Sequence, residues 1–349
     1  MNHCASYSFC LKRYLPLLVL LFVYNSSCNT IGKTSSGNKP APKPLYIDPI
    51  YNGAADPVIM WNKKTQKWFM LYTNRRATIN DTTGVKWVHG TRIGIAESTD
   101  GATWKYVDTA NIDYRPVADY THWAPDIIEH NGTYHMYLTY VPGIFDNWNH
   151  PRNIIHLTSS NLIDWKYQST LKLANDKVID AGVVKLADGT WRLWYNNERD
   201  GKSIYYADSK DLFTWVDKGK AIAARGEGPK VFKWQNTNWM IVDAWKGLEI
   251  YQSDNLLEWN KQSTRILEEP GKGKDDQAIG GHPDVVVSGD RAFIYYFTHP
   301  GRAAANPAPA QSVEARRSLI HVAELEYKNG MITCDRDKPV YVQLKPSRK

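Results

Sequence analysis

Cysteine is scarce in this chain: four residues in 349, at positions 4, 10, 28 and 334. Three of them fall within residues 1–28, which read as an export signal, and with Cys28 lipidated only Cys334 remains, so neither a disulfide framework nor a cysteine zinc cluster is expected in the fold. His150 and His156 stand at no metal-ligand spacing from other His or Cys, so no metal motif is expected. Long apolar runs are also missing, because Leu15 to Tyr24 is too short to span a bilayer. No basic run is interleaved with aromatics, which excludes a nucleic-acid partner. Helical periodicity is absent throughout, and the chain reads as all-β.

What is present in quantity is the aromatic side chain, with 14 Trp and 21 Tyr. Such residues fit pleated, half-buried surfaces. An apolar share of 42% and a charged share of 23% describe a globular domain with a sizeable core.

Residues 1–28 read as an export signal, with Lys12 and Arg13 ahead of the apolar run. Asn25-Ser26-Ser27-Cys28 resembles a lipoprotein cleavage site, with Asn25 where Leu is usual. The reading leaves two outcomes, a lipid anchor at Cys28 or simple cleavage nearby. The expected location is exported, either periplasmic or anchored to the outer membrane. Removing the signal takes away two positive charges and lowers the formal net charge from +7 to +5. Residues 29–44, rich in Thr, Ser, Gly, Asn, Lys and Pro, read as a flexible tether, and 45–349 as one domain.

An internal repeat organises that domain. The pattern Ser-x-[Asp/Asn]-[Gly/Leu]-x-x-Trp runs Ser98 to Trp104, Ser159 to Trp165, Ser209 to Trp215 and Ser253 to Trp259. Its tryptophans are 61, 50 and 44 residues apart, the spacing of propeller blades with variable loops. The Asp/Asn-Gly/Leu pair predicts a turn, and the Trp predicts a plug in the blade core. Middle strands are predicted at Trp68 to Thr73, Tyr134 to Tyr140, Trp191 to Asn196, Trp239 to Ala244 and Ala292 to Thr298. Third strands are predicted at Arg92 to Ser98, Asn153 to Ser159, Ser203 to Asp208, Leu248 to Ser253 and Ser318 to Glu324.

Each unit opens with a short apolar strand headed by polar residues: Asp56-Pro57, Pro125-Asp126, Asp180-Ala181, Glu227-Gly228-Pro229 and His282-Pro283-Asp284. Five units of about four antiparallel strands make a five-bladed β-propeller, whose first strands line the central channel. Carboxylates gathered on one axis repel one another and lose hydration, an arrangement that points to chemistry.

Ala55-Asp56-Pro57-Val58-Ile59, Trp123-Ala124-Pro125-Asp126-Ile127 and Gly226-Glu227-Gly228-Pro229 together resemble glycoside hydrolase family 43 over essentially residues 45–345. The resemblance implies an inverting glycosidase with Asp56 as general base, Glu227 as general acid and Asp126 as the carboxylate that raises the acid's pKa. Inversion asks for one protonated and one ionised carboxyl group, and no metal. The resemblance further implies pentose units, α-L-arabinofuranose or β-D-xylose, removed from plant polysaccharides or oligosaccharides. His282 matches a blade-five histidine near the axis that holds water or a cation, calcium being the candidate, although Pro283-Asp284 departs from the commoner pattern. That departure keeps open a related propeller family, the anhydrogalactosidases of family 117, in which a blade-five His is the acid. A non-catalytic carbohydrate-binding propeller is the third reading.

Trp123 and Trp245 are candidate sugar platforms, and Asp180 a substrate-positioning or structural residue. Arg75, Arg76, His122, Asn196 and Asn197 are candidate hydroxyl binders on loops. Asp284, two residues along the strand from His282, is expected to share its face.

Overall fold

The computed structural model describes residues 39–81 and 83–346. The expected signal and Cys28 lie outside the described residues. Part of the expected tether does not: Ala41 is buried, its N–H donates to Val340 O at 2.7 Å, and the Lys43 ammonium meets Arg336 O. From residue 41 the chain is therefore part of the folded domain, packed on its own C-terminal segment.

Five sheets are ordered strand by strand along the chain, each antiparallel and each with four strands in sequence. Blade two carries a fifth strand, Asn111–Asp113, lying parallel to its outer strand Asp164–Thr170. The inner strands are Ala54–Asn62, Thr121–His130, Val178–Lys185, Glu227–Trp234 and Gly281–Ser288. Each touches the next and the last touches the first, which closes the ring. The fold is a five-bladed β-propeller.

The repeat has a direct structural meaning. In the first copy the Ser98 hydroxyl accepts the Gly101 N–H at 2.8 Å, and Asp100 Oδ1 accepts the Thr103 N–H at 2.8 Å. Gly101, Leu162, Leu212 and Leu256 all adopt left-handed backbone, with φ of 81°, 63°, 67° and 60°. In the first three copies the indole N–H of the closing tryptophan returns to that residue's carbonyl, at 3.0 Å from Trp104, 3.3 Å from Trp165 and 3.2 Å from Trp215. Trp165 and Trp215 are buried in blade cores, as a plug requires. The predicted middle and third strands match the observed ones to within a few residues at their ends.

A second five-fold regularity sits at the heads of the inner strands. Every one carries a bulge, where the register with its neighbour jumps: Ala55/Val58, Trp123/Pro125, Ile179/Gly182, Glu227/Lys230 and Gly281/Asp284. The residue at each bulge is left-handed: Asp56 (φ 51°), Ala124 (42°), Asp180 (60°), Gly228 (59°) and His282 (24°). Strain of this kind gathers at functional sites. The bulges define two tiers on the axis. Asp56, Ala124, Asp180, Gly228 and His282 form the upper tier, while Val58, Asp126, Gly182, Lys230 and Asp284, two residues further on, form the lower. A side chain at Gly228 would strike the His282 ring at 2.9 Å, and one at Gly182 would strike Pro229 O at 2.0 Å, so the strands pack closely only because these positions are bare.

Candidate active site

The upper tier brings carboxyl groups from separate blades together around His282. His282 Nδ1 lies 3.6 Å from Asp56 Oδ1 and 3.8 Å from Asp180 Oδ2. Asp56 is clamped by Arg75, whose Nη2 reaches Oδ1 at 3.1 Å and Oδ2 at 3.4 Å. The other arm of that guanidinium, Nη1, meets His299 Nε2 at 2.9 Å, and His299 Nδ1 donates to Arg317 O at 2.8 Å. Burial holds the His299 ring well below the usual histidine range, so it is neutral and its Nε2 accepts from Arg75. Arg75, a loop candidate for hydroxyl binding in the sequence, is thus committed to a carboxylate.

Glu227 stands at the head of blade four, paired in register with Asp243 on the neighbouring strand Thr237–Asp243. Its Oε1 accepts the indole N–H of Trp245 at 3.0 Å. Burial and the nearby Asp243 and Asp56 push its carboxyl from an ordinary 4.5 up to about 8, against the pull of Lys202 and Trp245. Asp243 had no motif to announce it. Its Oδ1 accepts the Trp245 N–H at 2.8 Å and its Oδ2 the His282 N–H at 2.9 Å, which fixes the backbone on both sides of Glu227. Burial pushes its carboxyl up as well.

Asp180 is buried, and burial followed by Glu227, Asp56 and Glu198 drives its carboxyl well above the ordinary range. Its N–H donates to Thr139 Oγ1 at 3.0 Å. Beside it, buried Arg152 is ion-paired to Glu198 at 2.7 Å and is close enough to Asp180 and Glu227 to act on both.

Asp126 is not in this group. It occupies the lower tier, where Oδ1 accepts the Lys230 ammonium at 2.9 Å and Oδ2 the Val183 N–H at 2.8 Å. The charges acting on it are Lys230 and Asp284, whereas Glu227 interacts with Asp243, Lys202, Asp56 and Asp180. The expectation that Asp126 tunes the acid is therefore corrected: the bulge at Ala124 sends its carboxylate down the channel, and Asp180 takes the position beside Glu227. Asp284 likewise lies in the lower tier rather than against His282, with Oδ1 2.7 Å from Lys230 Nζ.

Of the two candidate sugar platforms, Trp123 is 9% exposed and donates its indole N–H to Val88 O at 2.6 Å. It packs in a small core with Ala124, Val141 and Phe145 and presents no open face. Trp148, which no motif marks, is 51% exposed and stands 6.0 Å from Trp123, ring to ring, with its carbonyl held by Arg152 at 2.6 Å. Trp245 is partly exposed, but Lys202 Nζ and Arg225 Cζ each lie 5.0 Å from its ring centre. Its evident task is to hold Glu227.

The fit of an axial cation can be judged from these groups. Calcium takes six to eight oxygens, and among the described residues no set of three His, Cys, Asp or Glu is arranged to hold a metal. The carboxylates nearest His282 are engaged or strongly raised, and an ammonium already stands in the tier below. The residues do not fit a divalent ion.

Known proteins place this geometry in context. The solved structure of a family-43 β-xylosidase/α-arabinofuranosidase from a compost microbial metagenome superposes with a TM-score of 0.60 at 15% identity, over 87% of this chain and 98% of the other. A family-43 β-1,3-galactosidase with bound galactodeoxynojirimycin gives 0.59 at 14% identity, over 84% and 97%. A fructan β-fructosidase of Streptococcus mutans is 28% identical over 167 residues, 41% of this chain, and the match spans 12% of that relative's length. Residues 46–332 match the family described as glycosyl hydrolases family 43, and the chain belongs to it.

Proposed function

We propose that the protein is an inverting, exo-acting glycosidase that removes pentose units, α-L-arabinofuranose or β-D-xylose, from plant polysaccharide fragments. One observation carries this reading: within one site, one carboxyl group is pushed to keep its proton while another is paired with an arginine. Glu227, raised to about 8, keeps its proton near neutral pH, while Asp56 is ion-paired to Arg75. Glu227 would protonate the departing glycosidic oxygen as Asp56 takes a proton from water on the opposite face of the ring. Asp180, which shares a charge interaction with each, would disfavour ionisation of Glu227. The step consumes one water and forms two hydroxyl-bearing products, with the proton returned from Asp56 to Glu227 through solvent. The pentose preference draws support from the compost xylosidase/arabinofuranosidase, and the galactosidase relative marks the hexose alternative.

Hydrolysis of aryl α-L-arabinofuranosides and β-D-xylosides, followed by proton NMR of the first anomer released, tests sugar and stereochemistry together. Retention of configuration, or no cleavage of these or of any arabinan, arabinoxylan or pectic oligosaccharide, would end the reading. The rival assignment makes His282 the acid, and its ring does stand in the upper tier within 4 Å of Asp56 and Asp180. Glu227→Gln and His282→Ala separate the two, since only loss of the true acid abolishes turnover of a poor leaving group. Export and lipid attachment at Cys28 belong to the same proposal. Palmitate labelling that survives Cys28→Ser would count against the anchor.

A further inference from the structure

Two carboxylates from different blades, Asp126 and Asp284, converge on one point of the channel. Left alone, they would repel across a poorly hydrated space, and that is the donor set that recruits a hard cation. The point is filled by the protein itself. Lys230 Nζ lies 2.9 Å from Asp126 Oδ1 and 2.7 Å from Asp284 Oδ1, with its side chain 19% exposed. Burial works against its charge, yet Asp126 and Asp284 outweigh burial and hold the ammonium protonated.

The remaining oxygens tie the cluster into the blades. Asp284 Oδ2 accepts the Ile59 N–H of blade one at 2.7 Å, and Asp126 Oδ2 accepts the Val183 N–H of blade three at 2.8 Å. Lys230 comes from blade four, Asp126 from blade two and Asp284 from blade five. One ammonium thus links all five inner strands directly beneath the bulges that hold Asp56, Asp180 and His282. Val58 and Gly182, the other members of this tier, contribute no ligand.

We propose that the Lys230 ammonium is the resident cation of the propeller axis, held by Asp126 and Asp284 where a divalent ion would otherwise be needed. Fold and catalytic tier are then independent of metal, and a second cation beside His282 would be repelled by the first.

Thermal unfolding of the full chain reads this out without any assumption about the sugar cleaved. Wild-type protein dialysed against EDTA keeps its Tm, calcium chloride does not raise it, and terbium gives no tryptophan-sensitised emission. Lys230→Met leaves the two carboxylates facing each other. Its Tm falls in EDTA, recovers with calcium in a saturable way, and terbium binds at one site. A wild type that loses Tm on chelation and regains it with calcium overturns the proposal, as does a Lys230→Met protein indifferent to calcium. Should Lys230→Met fold in neither condition, Lys230→Met with Asp284→Asn removes one carboxylate together with the ammonium. That double variant is expected to fold without metal, and its failure to do so also overturns the proposal.

Discussion

Trp245 donates its indole N–H to Glu227 Oε1 across 3.0 Å while Lys202 and Arg225 crowd its ring. The contact leaves Oε2 as the oxygen free to carry the proton that acid catalysis requires. A hydrogen bond of this kind favours the ionised carboxylate, so its loss raises the pKa further. Trp245→Phe keeps the ring and removes the donor. The alkaline limb of its kcat/KM profile is expected to move up by about one pH unit, the size of one hydrogen bond to a charged group. An unchanged limb would show that the indole only fills space.

Glu227 also links stability to pH. Its folded pKa of about 8 lies above the ordinary 4.5, so the native state binds more protons than the unfolded chain between those values. The contribution is fully present below about pH 4.5 and fades as pH rises through 8. Glu227→Gln removes the titration. The variant's Tm, relative to wild type, is expected to climb from pH 5 to pH 8. A constant difference across that range would contradict the raised pKa.

Much of this architecture was legible because it is written as repeats. The Ser-x-[Asp/Asn] pattern encodes a local turn whose hydrogen bonds close within seven residues, and such chemistry survives without knowledge of the partner strands. The inner strands were legible for the same reason: Pro57, Pro125, Pro229 and Pro283 each follow the left-handed residue of a bulge. The assignment within the site failed at that same proline. Blade one has its Asp before the proline and blade two has its Asp after it, and the bulge separates those positions into different tiers. Asp180 lacks the proline, since Ala181 follows, and so carried the weaker signal. Asp243 and Trp148 sit at a strand end and in a loop, where only the closed ring reveals what they face.

The corrected tiers make Asp180 and Asp126 separable by experiment. Asp180→Asn removes a group that acts on Glu227 and touches none of the blade ties. Its kcat is expected to fall by about 10² to 10⁴, the range for disturbed acid–base catalysis, with little change in Tm. Asp126→Asn weakens a partly buried ion pair and leaves Lys230 with one carboxylate. Its main expected effect is a loss of several degrees in Tm, with a smaller loss in kcat. The reverse pattern would restore Asp126 to the role suggested by the sequence.

Arg75 tests the base. Its fork spans Asp56 and the neutral His299, a geometry that lysine cannot copy. Arg75→Lys keeps the charge and loses the double contact, leaving the Asp56 carboxylate free to rotate. A fall in kcat of about tenfold to a hundredfold with KM little changed is expected, because misplacement of a reacting group costs rate rather than binding. A rise in KM alone would instead mark Arg75 as a substrate contact.

Trp148 is the exposed indole on the rim beside the Trp123 core, with its carbonyl held by Arg152 at 2.6 Å. Arg152 acts in turn on Asp180 and Glu227, so the loop that presents the indole is tied to the acid end of the site. An indole held there would offer a flat apolar face to a sugar bound on the leaving-group side. Trp148→Ala is expected to raise KM for a xylo- or arabino-oligosaccharide by about tenfold, the worth of one stacking contact, and to leave an aryl pentoside with a single sugar ring less affected. Equal losses on both substrates would place the indole against the reacting sugar itself, and no loss on either would remove it from the substrate path.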